Sequence, residues 1–126
     1  EQAQTIWFNP QTHTVVAELE GKVVGAYKLK PNFAGRGAHV ANGSYIVAAG
    51  LRGQGIGRQL VEHSLQTARR RGYRAMQFNI VVSTNRGAIA LYEKLGFQIM
   101  ATLPGAFHHR TLGYVDTHVM YRRLVD

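Results

Sequence analysis

The first half of the chain contains short apolar runs that are rich in residues favouring β-strands. Two such runs, from Thr14 to Leu19 and from Lys22 to Leu29, are joined by Glu20 and Gly21. Because glycine adopts positive φ without strain, the junction predicts a tight turn and the two runs predict a β-hairpin. A third extended run, from His39 to Ala49, follows a loop. The pattern therefore predicts three consecutive strands.

After Leu51 the spacing becomes helical. Apolar residues recur every three or four positions and form one stripe of an amphipathic helix, namely Ile56, Leu60, Val61, Leu65 and Ala68. Gly72 is typical of a residue that closes such a helix. A second helix is predicted between Asn85, whose side chain suits an N-cap, and Gly96.

Three more strands surround the second helix. The run from Ala75 to Val82 lies between the two helices. The runs from Phe97 to Leu103 and from Gly113 to Leu124 follow the second helix, and a predicted loop from Pro104 to Thr111 joins them. The resulting order is β-β-β-α-β-α-β-β. It predicts an α/β (α+β) fold with a mixed, mostly antiparallel sheet and helices packed on it.

Composition narrows the class of protein. The chain has 126 residues, 45% of them hydrophobic, which is enough for one domain (residues 1–126) with a buried core. It contains no cysteine, which excludes disulfide scaffolds and thiol nucleophiles, and it carries 15 Lys and Arg against 7 Asp and Glu. No apolar run approaches the roughly 18 residues that cross a bilayer. We expect a cytoplasmic protein with an anionic partner.

The strongest chemical signal is a glycine-rich segment between the third strand and the first helix. Gly53, Gly55 and Gly57 alternate there, and Arg52 and Arg58 flank them. Backbone N–H groups and the positive end of a helix converge at such a junction, so it predicts an anion site that fits a diphosphate. A P-loop requires Gly-Lys-Ser/Thr, and the dinucleotide fingerprint requires a glycine where Arg58 stands, so both are excluded.

Two motifs resemble those of the GCN5-related N-acetyltransferases, the GNAT superfamily. The first is Arg52-Gly53-Gln54-Gly55-Ile56-Gly57, and the second is Asn85-x-x-Ala88-x-x-x-Tyr92-x-x-x-Gly96-Phe97. The resemblance implies a GNAT fold and acetyl-CoA as the acetyl donor. It implies cofactor binding by Val47, Asn85 and the loop, which consists of Arg52, Gly53, Gln54, Gly55, Ile56, Gly57 and Arg58.

The resemblance also implies a catalytic role. It makes Tyr92 the residue that protonates the coenzyme A sulfur, where the alternative is an aromatic residue of the core. For Asn85 the alternative to cofactor binding is helix capping alone. Asn79 is expected to face the acceptor where the sheet opens, and its alternative is a polar residue on a solvent-exposed face.

The general base is the least determined part of the site. Glu18, His39, Asp116 and a chain of water molecules are the candidates, because the stretch before the glycine loop contains no acid. A metal site is not expected, since the pair Asp116 and His118 lacks a third ligand.

The predicted function is direct transfer of an acetyl group from acetyl-CoA to the amine of a small-molecule or amino-acid-like acceptor. The loop from Pro104 to Arg110 is expected to shape the acceptor pocket. The alternatives are a non-catalytic CoA-binding module and a basic nucleic-acid-binding domain, although the run from Arg69 to Arg71 is explained as a helix end. Family members usually carry a strand and helices before the hairpin, so an N-terminally incomplete domain is expected. A homodimer remains open.

Overall fold

The computed structural model describes residues 12–51 and 53–125. It contains six strands, two α-helices and a single 3-10 turn at Gly35–Gly37. The strands are β1 (His13–Leu19), β2 (Lys22–Pro31), β3 (Val40–Val47), β4 (Ala75–Val82), β5 (Gln98–His109) and β6 (Gly113–Arg123), and the helices are α1 (Ile56–Arg70) and α2 (Arg86–Lys94). No helix in these described ranges is long and apolar enough to cross a bilayer.

All six strands form one sheet in the order β1-β2-β3-β4-β6-β5. The central pair β3 and β4 is parallel, and the other neighbours are antiparallel. The predicted mixed, mostly antiparallel sheet and the predicted order of elements are therefore confirmed. The third strand is shorter than predicted, because it begins at Val40 rather than His39 and ends at Val47 rather than Ala49.

The predicted loop from Pro104 to Thr111 is wrong. Strand β5 continues through Pro104 to His109, and the turn before β6 lies at residues 110–112. Proline and glycine usually mark a loop, but here they sit where the register of β5 and β6 shifts between Leu103 and Phe107. An edge strand tolerates proline at such a bulge, because only one of its sides needs a ladder.

Both helices pack on the same face of the sheet. The core under α1 includes the buried strand residues Tyr27, Leu29 and Met76 and the helix residues Leu60 and Val61. The hydroxyl of Tyr27 donates a hydrogen bond of 2.8 Å to Thr67 Oγ1 on α1. Apolar burial and a satisfied polar contact thus fix α1 across β2.

Helix α2 ends in a contact with the last strand. Gly96 has a φ of +98°, and a Cβ at this position would lie 2.7 Å from Arg122 Nε. The same nitrogen donates a 2.7 Å hydrogen bond to Leu95 O, a carbonyl that the helix leaves without a partner. Gly96 is therefore required both for its backbone conformation and for the approach of Arg122.

Two glycine substitutions on α2 should have opposite effects on stability. Gly96→Ala should lower the free energy of unfolding by about 1–3 kcal/mol, because alanine is strained at positive φ and meets Arg122. Gly87→Ala, in the first turn of the same helix with open space around it, should raise it by up to about 1 kcal/mol. Urea unfolding of both variants checks this, and equal effects would contradict the stated role of Gly96.

Candidate active site

The sheet opens between its two central strands. The register of the parallel pair runs only from Val40 with Ala75 to Asn42 with Gln77. On the far side, the register of β4 with β6 shifts between Phe78 and Val81, which is the signature of a bulge that bends a strand. The two central strands therefore part after three paired positions and leave a gap.

Peptide groups of β3 line this gap. Ala48 N–H donates to Val24 O at 2.8 Å and therefore points toward the hairpin partner β2. Because the N–H and C=O groups of successive residues in a strand point to opposite sides, those of Tyr45 and Val47 face the gap. The end of β3 thus offers donors and acceptors in the plane of the sheet.

A cavity of about 220 Å³ occupies the gap. Its walls come from the two parted strands and from the start of α2, and they comprise Gly43, Ser44, Tyr45, Phe78, Ile80, Val81, Val82, Asn85, Ala88 and Tyr92. A Cβ at Gly43 would lie 2.8 Å from the hydroxyl of Tyr45 and 3.2 Å from the ring of Phe78. Glycine is therefore needed at this position for the two aromatic rings to pack together.

Aromatic rings form the helix side of the cavity. The ring of Tyr92 lies 4.6 Å from Phe78, 6.0 Å from Phe97 and 6.5 Å from Tyr45, measured between centroids. Tyr45 forms a hydrogen bond of 2.6 Å with Ser64 Oγ on α1. Burial raises the pKa of the Tyr92 phenol and raises that of Tyr45 still further. Both phenols consequently stay protonated at neutral pH.

The glycine loop lies directly after the open end of β3. Gly50, Gly53 and Gly55 all have positive φ, between +82° and +85°, and a Cβ on any of them would meet open space. Gly55 precedes α1 without a side-chain cap, which leaves the first N–H groups of the helix for another partner. Gly57 follows in the first turn, and its Cβ would lie 3.9 Å from Val47 Cγ2. The loop and the gap are therefore adjacent.

The remaining residues of the predicted loop divide between several roles. Ile56 is the first residue of α1 and packs against the core. Gln54 lines a separate groove between β1 and α1. Arg58 pairs with Glu62 at 3.3 Å on the exposed surface of α1, and Arg52 lies outside the described residues.

The two asparagines of the prediction occupy different places. Asn85 caps α2, since its Oδ1 accepts a 3.2 Å hydrogen bond from Ala88 N–H, and it also lines the cavity. The cap uses only the side-chain oxygen, so the NH₂ group remains available. Asn79 lies on β4, where its Nδ2 donates to Asn32 Oδ1 at 2.8 Å. It belongs to a polar cluster beside the cavity rather than to the cavity wall.

None of the predicted side-chain bases lines the cavity. Glu18 lies on β1, and His39 precedes β3 at the end opposite to the glycine loop. Asp116 lies on β6, where its Oδ1 accepts a 3.0 Å hydrogen bond from Gly105 N–H. The residues that line the cavity in the described part of the chain include no carboxylate and no imidazole.

Comparison with known proteins places this arrangement in a family. The profile of the Acetyltransferase (GNAT) family matches residues 1–97. The chain belongs to the GNAT acetyltransferase family. Both the glycine loop and the second motif lie within the matched residues, so the resemblance inferred from these motifs is confirmed.

Individual relatives agree with this assignment. The N-acetyltransferase aca1 of Schizosaccharomyces pombe is 34% identical over 111 residues, which are 87% of this chain and 53% of that protein. A GCN5-related N-acetyltransferase from Kribbella flavida superposes with a TM-score of 0.89 at 47% identity, covering 97% of this chain and 75% of its own. The Salmonella typhimurium protein yncA, with its cofactor acetyl-CoA, gives a TM-score of 0.84 at 25% identity, with coverage of 99% and 70%. The chain thus spans about half the length of the Schizosaccharomyces pombe relative.

The observed geometry fits the family cofactor, acetyl-CoA. The loop has glycines at positive φ and leaves the first N–H groups of α1 without a side-chain cap, which suits a pyrophosphate. The gap presents strand peptide groups, which suit the amide groups of the pantetheine arm. The lining of the gap also includes Tyr45, Phe78 and Gly43. The sequence analysis did not identify these residues, because nothing in the sequence of one strand indicates that the neighbouring strand turns away.

The raised phenol pKa values have a measurable consequence for stability. The phenols of the unfolded chain ionise near their ordinary pKa of about 10, whereas the buried Tyr45 and Tyr92 resist ionisation. Their contribution to stability is therefore complete below that pH and is lost as the pH rises above it. The free energy of unfolding, measured from neutral to alkaline pH, should decline less in the double variant Tyr45→Phe/Tyr92→Phe than in the unsubstituted protein. Tyr114→Phe, at a highly exposed position, should keep the decline of the parent.

Proposed function

We propose that residues 1–126 act as one acetyltransferase domain that moves the acetyl group of acetyl-CoA directly to the amine of a small-molecule or amino-acid-like acceptor. The observation that carries this proposal is the position of the Tyr92 phenol in a cavity between parted strands, next to a glycine loop at a helix start. Direct transfer agrees with a chain that contains no cysteine.

Binding of the donor is assigned to backbone groups first. The N–H groups from Gly53 to Arg58 hold the pyrophosphate, and Arg52 adds positive charge. Val47 N–H, which faces the gap, binds a carbonyl oxygen in the plane of the sheet. Asn85 keeps its cap and uses the remaining NH₂ group for the pantetheine arm.

Chemistry in the cavity follows from the protonation states of the lining groups. Acetyl-CoA, when bound, supplies a thioester carbonyl that an amine can attack. Tyr92 holds its proton on Oη at neutral pH and donates it to the departing sulfur, which would otherwise leave as a thiolate in a poorly solvated cleft. The neighbouring Tyr45 cannot replace it, because its hydroxyl is already paired with Ser64 and its pKa is higher.

The amine must lose its proton without a side-chain base in the cavity. The described lining contains neither a carboxylate nor an imidazole, and Glu18, His39 and Asp116 lie elsewhere. Among the candidates derived from the sequence, water therefore has the strongest support. The acceptor enters as the free amine, and its nitrogen loses one further proton to solvent water as the new C–N bond forms and the C–S bond breaks. Tyr92 regains from solvent the proton that it gave to the sulfur.

The acid role of Tyr92 is tested by removing one oxygen atom. Tyr92→Phe keeps the ring contacts with Phe78 and Phe97 and should lower kcat by roughly 10²- to 10⁴-fold, with little change in acetyl-CoA affinity. The measurement is initial-rate release of CoA, together with calorimetric titration of acetyl-CoA.

Tyr45→Phe is the matched control on the same aromatic wall. It removes a hydroxyl that is bound to Ser64, so its kcat should stay near that of the parent. If Tyr45→Phe lost the rate and Tyr92→Phe kept it, the acid assignment would be reversed. Equal retention of kcat by both variants would assign proton delivery to water.

Cofactor binding is tested at equivalent positions of the two helices. Gly57 and Gly87 are each the second residue of their helix, and neither is crowded. Gly57→Leu should weaken acetyl-CoA binding severely, because the side chain fills the approach to the N–H groups beside Val47. Gly87→Leu should leave the affinity unchanged. Unaltered affinity in Gly57→Leu, with a normal melting temperature, would remove the pyrophosphate assignment.

A further inference from the structure

Four carboxamide side chains gather on the face of the sheet opposite the helices. Asn42 and Gln77 form the last pair of the parallel ladder, and their strand neighbours Ala41, Met76 and Phe78 face the core. Strand alternation therefore puts Asn42, Gln77 and Asn79 on the other face. Asn32 directly follows β2 and joins them. These four residues are called the carboxamide cluster.

Two of the three hydrogen bonds of the cluster meet at one oxygen atom. Asn32 Oδ1 accepts from Asn79 Nδ2 at 2.8 Å and from Asn42 Nδ2 at 3.2 Å. Asn79 Oδ1 in turn accepts from Gln77 Nε2 at 3.0 Å. Two donors thus hold the carboxamide of Asn32 through its oxygen atom.

The other end of the same carboxamide has no partner. Asn32 Nδ2 is buried from solvent and forms no hydrogen bond. A buried NH₂ group without an acceptor is unfavourable, and natural structures rarely keep one unless a ligand or water completes it. The missing partner must be an acceptor atom such as a carboxylate or carbonyl oxygen, because the NH₂ group can only donate.

Charge near the cluster favours an anion. Lys30 is paired with Asn42 across β2 and β3, so the two side chains share the face of the cluster. The acidic residues that the structure describes lie on β1 and its turn, on the helices and on β6, and none lies on the strands that carry the cluster; they are Glu18, Glu20, Glu62, Glu93 and Asp116. A carboxylate oxygen would therefore meet a donor and a nearby cation without repulsion.

The cluster lies next to the proposed acetyl-transfer cavity. Ser44 lines the cavity and lies two residues after Asn42 on β3. Ile80 also lines the cavity and directly follows Asn79 on β4. We propose that Asn32 is a specificity-determining residue whose Nδ2 group binds the carboxylate of the acceptor, so that the substrate class is an amino acid or a similar carboxylate-bearing amine. This inference rests on the proposed function.

A direct binding experiment tests Asn32 without catalysis. The side-chain NH₂ signals of Asn32 in the ¹⁵N-labelled protein, identified by their loss in Asn32→Ala, are followed in the presence of CoA while glycine, glycinamide or methylamine is added. Glycine should cause a saturable shift of these signals, glycinamide a weaker one, and methylamine none. An equal shift with methylamine, or no saturable shift with glycine, would overturn the proposal, and a stronger response to glycinamide would assign the site to a peptide carbonyl.

An activity measurement separates this inference from the proposed function. Amino acids are screened for acetyl-CoA-dependent release of CoA, and Asn32→Ala should raise KM for the best of them by about 10- to 100-fold, the usual effect of losing a hydrogen bond to a charged group. Its acetyl-CoA affinity should not change. Gln66→Ala, an amide truncation on the exposed side of α1, should leave KM unchanged. If Asn32→Ala binds acetyl-CoA normally and its KM for the amino acid is unchanged, only the inference about Asn32 is overturned. If the unsubstituted protein does not bind acetyl-CoA, the proposed function itself is overturned.

Discussion

The early parting of β3 and β4 is the constraint on which the rest of the structure depends. A parallel ladder normally pairs every peptide group along its length, and here it stops after Asn42 and Gln77. The peptide groups beyond that point are exposed toward a gap in the middle of a sheet. Such groups are costly to bury without partners, so the gap is suited to a ligand that carries amide groups of its own. The glycine loop begins where β3 leaves the gap.

The two helices keep the strands apart, because each holds one of them. Tyr45 of β3 is hydrogen-bonded to Ser64 of α1. Phe78 of β4 stacks on Phe97 at a centroid distance of 4.3 Å and packs against Tyr92 of α2. Tyr92 therefore has a structural role as well as the proposed chemical one. The two roles use different parts of the side chain, since the ring packs against Phe78 and the proposed proton transfer uses the hydroxyl.

The chain has more cationic than acidic side chains, with 15 Lys and Arg against 7 Asp and Glu. Within the part of the chain that the structure describes, one salt bridge occurs, between Arg58 and Glu62, and both side chains are about half exposed. Exposed pairs of this kind stabilise a fold by less than about 1 kcal/mol. Arg122 instead donates to the carbonyl of Leu95 at the end of α2. The excess of cations over acids agrees with a phosphate-bearing donor and with the carboxylate-bearing acceptor proposed above.

Local patterns in the sequence determined the elements, the glycine loop and the family, because each depends on residues close together in the chain. The stripe from Ile56 to Ala68 and the cap at Asn85 are of this kind, and both helices formed as predicted. The pattern misled at Pro104, because an edge strand accepts a proline that an inner strand would not. Tertiary structure alone decided which residues lie side by side. It produced the gap after Asn42, kept Asp116 out of the cavity wall, and left the side-chain nitrogen of Asn32 without a partner. These features arise from strand pairing between residues far apart in the chain, and spacing along one strand carries no information about where its neighbour turns away.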